Sequence, residues 1–302
     1  MKLLVDCGNT RLKWRMVGDG AHEEGGLRWD VFAPQDLIDD WQQALMTLGS
    51  RTENPRGMFC SVAPAAHTAK AWAALQAFCS ASGAQRLEVH PGAKLHHAGF
   101  DWTLTTDYER PEELGRDRWA AALGFVHLFA RQAHTQSMRH RDSFSVVLVS
   151  AGTATVVDRV SGAWDGSGWV CTLTHGQIQP GLQCSADALA ESAPALKPAL
   201  QQALSLSDER LDWPLFDHQG STQRAVTEGL MAAQLGGLFW AERILPFDAI
   251  WLHGGNADWW RRALQASPWR GQWTCIQAPL IFAGLEAALT LESSAPTASS
   301  ID

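Results

Sequence analysis

Two kinds of site in this chain carry residues able to do chemistry: turns that follow apolar strands, and the start of one helix. Asp6-Cys7-Gly8-Asn9-Thr10 closes the apolar run Leu3-Leu4-Val5, and Arg11-Leu12-Lys13-Trp14-Arg15-Met16 then alternates polar and apolar residues. That alternation at period 2 predicts a β-hairpin with a polar, glycine-containing tip. Such a tip offers backbone N–H groups to a ligand with no side chain in the way, which suits phosphate oxygens. Asp6 could hold a magnesium ion through water, and Asn9, Thr10 and Lys13 could donate to phosphate. The same residues also make an ordinary turn. A second copy favours ligand binding: the strand Ser145–Val149, the turn Ser150-Ala151-Gly152-Thr153-Ala154-Thr155 and a returning strand Val156–Val160.

The helix start is Leu114-Gly115-Arg116-Asp117-Arg118-Trp119, preceded by Tyr108 and Pro111. Gly115 relieves crowding where the helix begins, and an acid in a first turn is held as the anion by the helix dipole. Asp117 could therefore accept a proton, and Arg118 could clamp a carboxylate with two hydrogen bonds. The alternative is an N-terminal cap with a surface salt bridge. Other nucleotide and metal signatures are missing. There is no Gly-x-x-x-x-Gly-Lys-Ser/Thr and no Gly-x-Gly-x-x-Gly after a strand. The six cysteines include no Cys-x-x-Cys pair and the eleven histidines no His-x-x-x-His pair, so neither a metal cage nor a disulfide framework is suggested.

These residues need elements to hold them. The pattern predicts a third strand over Leu27–Phe32, a helix opening at Pro34, a buried strand at Met58–Val62 and a helix carrying Trp72, Leu75 and Cys79. From Arg116 an amphipathic helix is expected with Trp119, Leu123, Val126 and Ala130 on one face, ending in a polar connection at Gln132–Asp142. Ile250-Trp251-Leu252-His253-Gly254-Gly255-Asn256-Ala257 answers Phe59-Cys60-Ser61-Val62-Ala63-Pro64, so each half reads β-β-β-α-β-α. Internal duplication of that unit implies a mixed sheet with helices on its faces in each half. The expected domains are 1–135 and 143–292, with 293–302 a disordered Ser/Ala/Pro-rich tail.

The bulk properties agree with a folded two-lobed protein: 302 residues, 46% hydrophobic and 19% charged. A net charge of -8 argues against a nucleic-acid-wrapping protein. With no signal-peptide core and no run long enough for a membrane span, a cytoplasmic protein without membrane association is expected.

Paired Asp-Gly-Thr hairpins on a duplicated unit resemble the actin-like ATPase (ribonuclease H-like) fold of sugar kinases, Hsp70 and actin. The ordered set Asp6-Cys7-Gly8-Asn9-Thr10, Ser61-Val62-Ala63-Pro64, Tyr108 with Leu114–Trp119, Ala151–Asp158, Gly176–Gly181, Ser221-Thr222 and Gly254–Ala257 resembles the motif series of type III pantothenate kinases, a family also described as Bvg accessory factors. The resemblance implies ATP and Mg²⁺ as cofactors, with Asp6, Cys7, Gly8, Asn9, Thr10, Arg11, Leu12, Lys13 and Thr153 around ATP and a Mg²⁺ site at Asp6. Tyr108, Gly115, Arg116, Asp117, Arg118 and Thr222 would hold pantothenate, with Asp117 as base. It also implies a homodimer, with the helix opened by Thr222 as a candidate contact. One residue departs from the family. Ser150 stands where members usually carry an acid that binds a monovalent cation, K⁺ or NH₄⁺, and a neutral hydroxyl is a weaker ligand. Little dependence on that cation is therefore expected. The alternative function is a catalytically weakened homologue acting as a regulatory accessory factor.

Overall fold

The computed structural model describes residues 1–49, 55–80, 83–97, 100–133, 142–205, 220–267 and 272–294. Residues 134–141 of the expected connection, and the tail from 295 onward, lie outside the described residues.

The first half runs β1 (Lys2–Cys7), β2 (Arg11–Val17), β3 (His22–Arg28), α1 (Pro34–Thr47), β4 (Arg56–Ser61), α2 (Ala65–Cys79) and β5 (Ala84–Arg86). A hairpin of β6 (Ala93–His97) and β7 (Phe100–Thr106) and the helix α3 (Arg116–Ala133) follow. The second half runs β8 (Ser143–Ala151), β9 (Ala154–Trp164), β10 (Gly168–Pro180), α4 (Leu182–Ser192), α5 (Lys197–Ser205) and α6 (Thr222–Ile244). It ends with β11 (Ala249–His253), α7 (Ala257–Ala266), β12 (Thr274–Gln277) and α8 (Leu280–Ser294).

The sheet of the first half has the order β3-β2-β1-β4-β5, and the corresponding strands of the second half have the order β10-β9-β8-β11-β12. In each, the first strand is antiparallel to the second and parallel to the fourth, and the fourth is parallel to the fifth. The same topology twice, with helices on the sheets, is the duplicated actin-like α/β fold expected from the β-β-β-α-β-α repeat. Contacts divide the chain into two compact units. One comprises Met1–His140, Trp164–Thr172 and Leu280–Asp302, the other Arg141–Ala163 and Leu173–Pro279. Among the described residues no helix is long and apolar enough to cross a membrane.

In the first unit, strand parity sorts side chains onto two faces. Leu3, Val5, Cys7, Leu12, Trp14 and Met16 share a buried cluster with Leu37 and Trp41 of α1 and Ala71, Leu75 and Cys79 of α2. The intervening residues Leu4 and Asp6 therefore take the opposite face of β1, where α3 and α8 pack on β4 and α8 packs on β1. Helices α3 and α8 cross with their backbones touching. A Cβ on Gly124 would lie 1.9 Å from the Leu280 carbonyl oxygen, and one on Gly284 would lie 1.9 Å from that of Ala120. In the second unit, Val147 and Val149 of β8, Ile250 and Leu252 of β11, and Leu230, Met231, Leu235 and Leu238 of α6 form one core with Trp259 and Trp260 of α7.

Two elements differ from expectation. The third strand covers His22–Arg28, and Trp29–Val31 is a 3₁₀ turn, because the chain leaves the sheet where Trp29 folds back on the first hairpin. The first turns of α3 are not amphipathic. Ala120, Ala121, Ala122 and Phe125 are buried along with Trp119, Leu123 and Val126, so the helix is sheathed on all sides there. The tryptophans serve largely as packing: Trp41, Trp102, Trp119, Trp251 and Trp260 are fully buried, and Trp102 stacks on Trp169 at 5.6 Å.

Candidate active site

In the first unit the expected hairpin is present: Cys7 pairs with Leu12, leaving Gly8–Arg11 as the tip, and the Gly8 amide donates to the Arg11 carbonyl at 3.1 Å. Asn9, Thr10 and Arg11 are exposed at the tip, whereas Cys7 and Leu12 are buried in the core behind it. Asp6 stands opposite Lys13 on β2 and Cys60 on β4. Its carboxyl is pushed up to about 7, first by burial and next by the negative charge of Asp117, with Lys13 pulling it down. Asp6 and Asp117, more than a hundred residues apart in the chain, thus face one another electrostatically, as the parity of β1 and the position of α3 require. Burial and the same two carboxylates also raise the Cys60 thiol, which stays protonated.

The start of α3 is built tightly. One Asp117 carboxylate oxygen accepts from the Arg118 amide at 2.8 Å, and a Cβ on Gly115 would come within 2.7 Å of that oxygen. Gly115 is thus the residue that lets the carboxylate curl back onto its own helix start. Arg118 is 8% exposed, and its guanidinium donates to the Tyr108 hydroxyl at 2.5 Å with the Tyr108 ring 5.4 Å away. Tyr108, Gly115, Asp117 and Arg118 are therefore brought together. Arg116 points elsewhere among the described contacts, donating through Nη2 and Nε to one Glu88 oxygen at 2.7 and 3.2 Å in a half-exposed pair.

In the second unit, β8 and β9 make the second hairpin, with Ala151 opposite Thr155 and the Gly152 amide donating to the Ala154 carbonyl at 3.1 Å. Thr153 is exposed at its tip. Ser150 is the penultimate residue of β8, as Asp6 is of β1, and stands between Val156 of β9 and His253 of β11. The Gly254–Asn256 turn closes on the same strand end, with the Asn256 amide donating to the Ala151 carbonyl at 2.9 Å. Thr222 is the exposed first residue of α6, after Ser221, whose hydroxyl accepts from the Arg224 amide at 3.2 Å. Thr222 also edges a cavity of about 550 Å³ between α4 and α6, lined by Leu189, Leu196, Val226 and Leu230.

Sequence reasoning missed two residues that hold the tips. The Trp29 indole donates to the Gly8 carbonyl at 2.8 Å, its amide to the Thr10 carbonyl at 3.4 Å, and its ring stacks on His67 at 4.5 Å. No local pattern announces this, since Trp29 reads as the middle of a strand. Gln234 is 1% exposed on α6 and bonds to Thr155 and Pro180 beside the second tip. A polar residue amid Leu230, Met231, Leu235 and Leu238 was the available signal.

Comparison with known proteins fits this geometry. The family model described as type III pantothenate kinase matches residues 2–238. A type III pantothenate kinase of Herminiimonas arsenicoxydans is 30% identical over 253 residues, covering 79% of this chain and 78% of that protein. One from Janthinobacterium sp. (strain Marseille) is 30% identical over 268 residues, covering 85% and 88%. One from Cupriavidus pinatubonensis is 31% identical over 251 residues, covering 78% and 80%. With the duplicated fold, the two hairpins and the Tyr108–Trp119 segment in place, the chain is an enzyme, a kinase, and it belongs to the type III pantothenate kinase family.

Proposed function

We propose that this kinase transfers the γ-phosphoryl group of ATP to the primary hydroxyl of pantothenate, giving 4′-phosphopantothenate, the first step of coenzyme A biosynthesis. The observation that carries the reading is the meeting of the Asp6 hairpin with the Asp117 helix start on one face of β1.

In this reading the tip from Asp6 to Lys13 and Thr153 of the second hairpin bind the ATP phosphates through backbone amides, hydroxyls and the Lys13 ammonium. Tyr108, Gly115, Arg118 and Thr222 orient pantothenate, with Arg116 at the edge. Arg118 is suited to its carboxylate because the guanidinium is already buried and aligned by Tyr108, so little side-chain freedom is lost on binding. Asp117 accepts the proton of the attacking hydroxyl. Its carboxylate is held and aimed by the Arg118 amide, at the end of the helix where the dipole favours an anion. Asp6 fits a Mg²⁺ role: a buried carboxyl beside a second carboxylate resists ionising alone, and a divalent cation relieves that. When bound, the ion supplies charge stabilisation for the transferring phosphoryl group, and the rest of the catalysis is positioning. We further propose a cytoplasmic homodimer in which α6 contributes to the interface, with little use of K⁺ or NH₄⁺ at Ser150.

A coupled assay of ADP release tests the reading. Turnover should depend on pantothenate and not on glycerol or hexoses, and Asp117→Asn should lose roughly 10² to 10⁴ in kcat with the fold retained. Near-full turnover by Asp117→Asn would remove Asp117 as base, and ADP release indifferent to pantothenate would remove the acceptor.

A further inference from the structure

Gln234 is a long polar side chain sealed inside the apolar core of the second unit, and its carboxamide is occupied at both ends. Its Oε1 accepts from the Thr155 hydroxyl at 2.7 Å, and Thr155 is itself 1% exposed. Its Nε2 donates to the Pro180 carbonyl at 3.0 Å and approaches the Ser185 hydroxyl at 3.5 Å. The Gln234 backbone carbonyl in turn accepts from Gln179 Nε2 at 2.8 Å.

All these partners flank the second hairpin tip. Thr155 is the residue on which the tip closes, opposite Ala151. The Pro180 carbonyl belongs to the same planar peptide as the Gly181 amide, and in a trans peptide the two point in opposite directions. Gly181 uses that amide to donate to the Thr153 carbonyl at 3.0 Å. It sits so close to the tip that a Cβ there would lie 2.4 Å from the carbonyl oxygens of both Gly152 and Thr153. One hydrogen-bonded line therefore runs from the Gln234 carboxamide through the Pro180–Gly181 peptide to the Thr153 carbonyl. A second line runs through Thr155 to the other side of the tip. Once the Thr153 carbonyl is fixed, the Ala154 N–H of the same peptide must face the opposite way.

We propose that Gln234 is a positioning residue for the nucleotide: from the buried side of α6 it sets the orientation of the Thr153–Ala154 peptide, whose N–H receives an ATP phosphate. The proposal rests on the reading of that hairpin as a phosphate loop. A leucine would fill the same space, so burial alone does not call for a carboxamide here; the two-ended bonding to the tip does. Thr222, at the start of the same helix, lies about 18 Å away along the helix axis. Loss of the carboxamide should therefore disturb ATP far more than pantothenate.

The test measures steady-state kinetics and Mg-ATP binding by calorimetry for the intact protein and for Gln234→Leu and Thr155→Val. The expected result for Gln234→Leu is a rise of roughly tenfold in both the KM and the Kd for ATP, with the pantothenate KM within about twofold of wild type. Thr155→Val should move the ATP values in the same direction by about threefold, and the double variant should fall short of the product of the two effects. A lower melting temperature with both KM values unchanged, or an equal rise in both, overturns the proposal. Should Gln234→Leu not fold, Thr155→Val decides by the same criteria. Wild-type protein without pantothenate-dependent ADP release overturns the functional reading instead. In that case the calorimetric Kd for Mg-ATP still decides the role of Gln234.

Discussion

At the scale of single residues, Asp6 couples the candidate site to stability. Its carboxyl titrates at about 7 in the folded chain, against an ordinary value of 3.8. Between those values the folded state holds a proton that the unfolded state has released, so the contribution of Asp6 to stability is fully present below about pH 4 and is lost as pH rises through about 7. The melting temperature of the nucleotide-free, metal-free protein should therefore fall between pH 5 and pH 8, and Asp6→Asn should flatten that fall while abolishing Mg-ATP turnover. Equal pH slopes for the two proteins would show that Asp6 ionises in the fold without cost. Ser150 gives a prediction about salt. Replacing K⁺ by Na⁺ at constant ionic strength should change turnover by less than about twofold, because a hydroxyl is a weak ligand for either ion. A collapse of activity would mean that other groups bind the cation. Most residues of the candidate site were legible because they lie in local runs at strand ends and helix starts: Asp6, Gly115, Asp117 and Thr153 each announce themselves. Trp29 and Gln234 were not, because their partners at Gly8, Thr155 and Pro180 become neighbours only through tertiary folding.

At the scale of elements, the proposed mechanism makes α3 the piece that must be held still, since Asp117 lies in its first turn. The crossing with α8 does this with bare backbone, Gly124 against Leu280 and Gly284 against Ala120. Gly284→Ala places a methyl group where the neighbouring backbone already is, and no side chain can move aside to admit it. The substitution should destabilise by about 1–3 kcal/mol or more and lower kcat as well as the melting temperature, since separating the helices shifts Asp117. Normal melting with normal kcat would show that the crossing adapts freely. Period and composition revealed the repeated elements β1, β2, α1, β4, β8 and β9. The β6–β7 hairpin was missed even though Leu95, Trp102 and Leu104 alternate with Lys94, His96, Asp101 and Thr103 at period 2, because it has no counterpart in the repeated unit. The expected amphipathic face of α3 proved too narrow because alanines, ambiguous in a hydrophobic pattern, are buried there at Ala120, Ala121 and Ala122.

At the scale of the whole molecule, the duplication was readable because two similar hairpins recur in order. The assignment of α8 to the first compact unit was not, because nothing in Leu280–Ser294 marks it as belonging with residues far earlier in the chain. Lys2 and Glu286 record the connection in an ion pair at 2.9 Å. A chain ending at Pro279 keeps both hairpins, Tyr108 and Asp117 but loses Leu280, Leu285 and Leu289, each buried in the first unit. Such a chain should show exposed apolar surface by dye binding and a weakened near-ultraviolet signal, and a synthetic peptide spanning 280–294 should reverse both. A native-like spectrum without the peptide would show that α8 is dispensable for the first unit.

The Gly124–Gly284 crossing also has a consequence for biosynthesis. A ribosome adding about 5–20 residues each second needs on the order of ten seconds or more to travel from the end of α3 to the end of α8. Throughout that interval the nascent chain already carries Asp6 and Asp117 but has nothing to lay across α3, so its apolar face waits open to chaperones or to neighbouring chains. A message cut short before Leu280 thus yields a polypeptide with the proposed site carboxylates and without the helix that packs on α3. Under the proposed mechanism, activity waits on completion of the last helix.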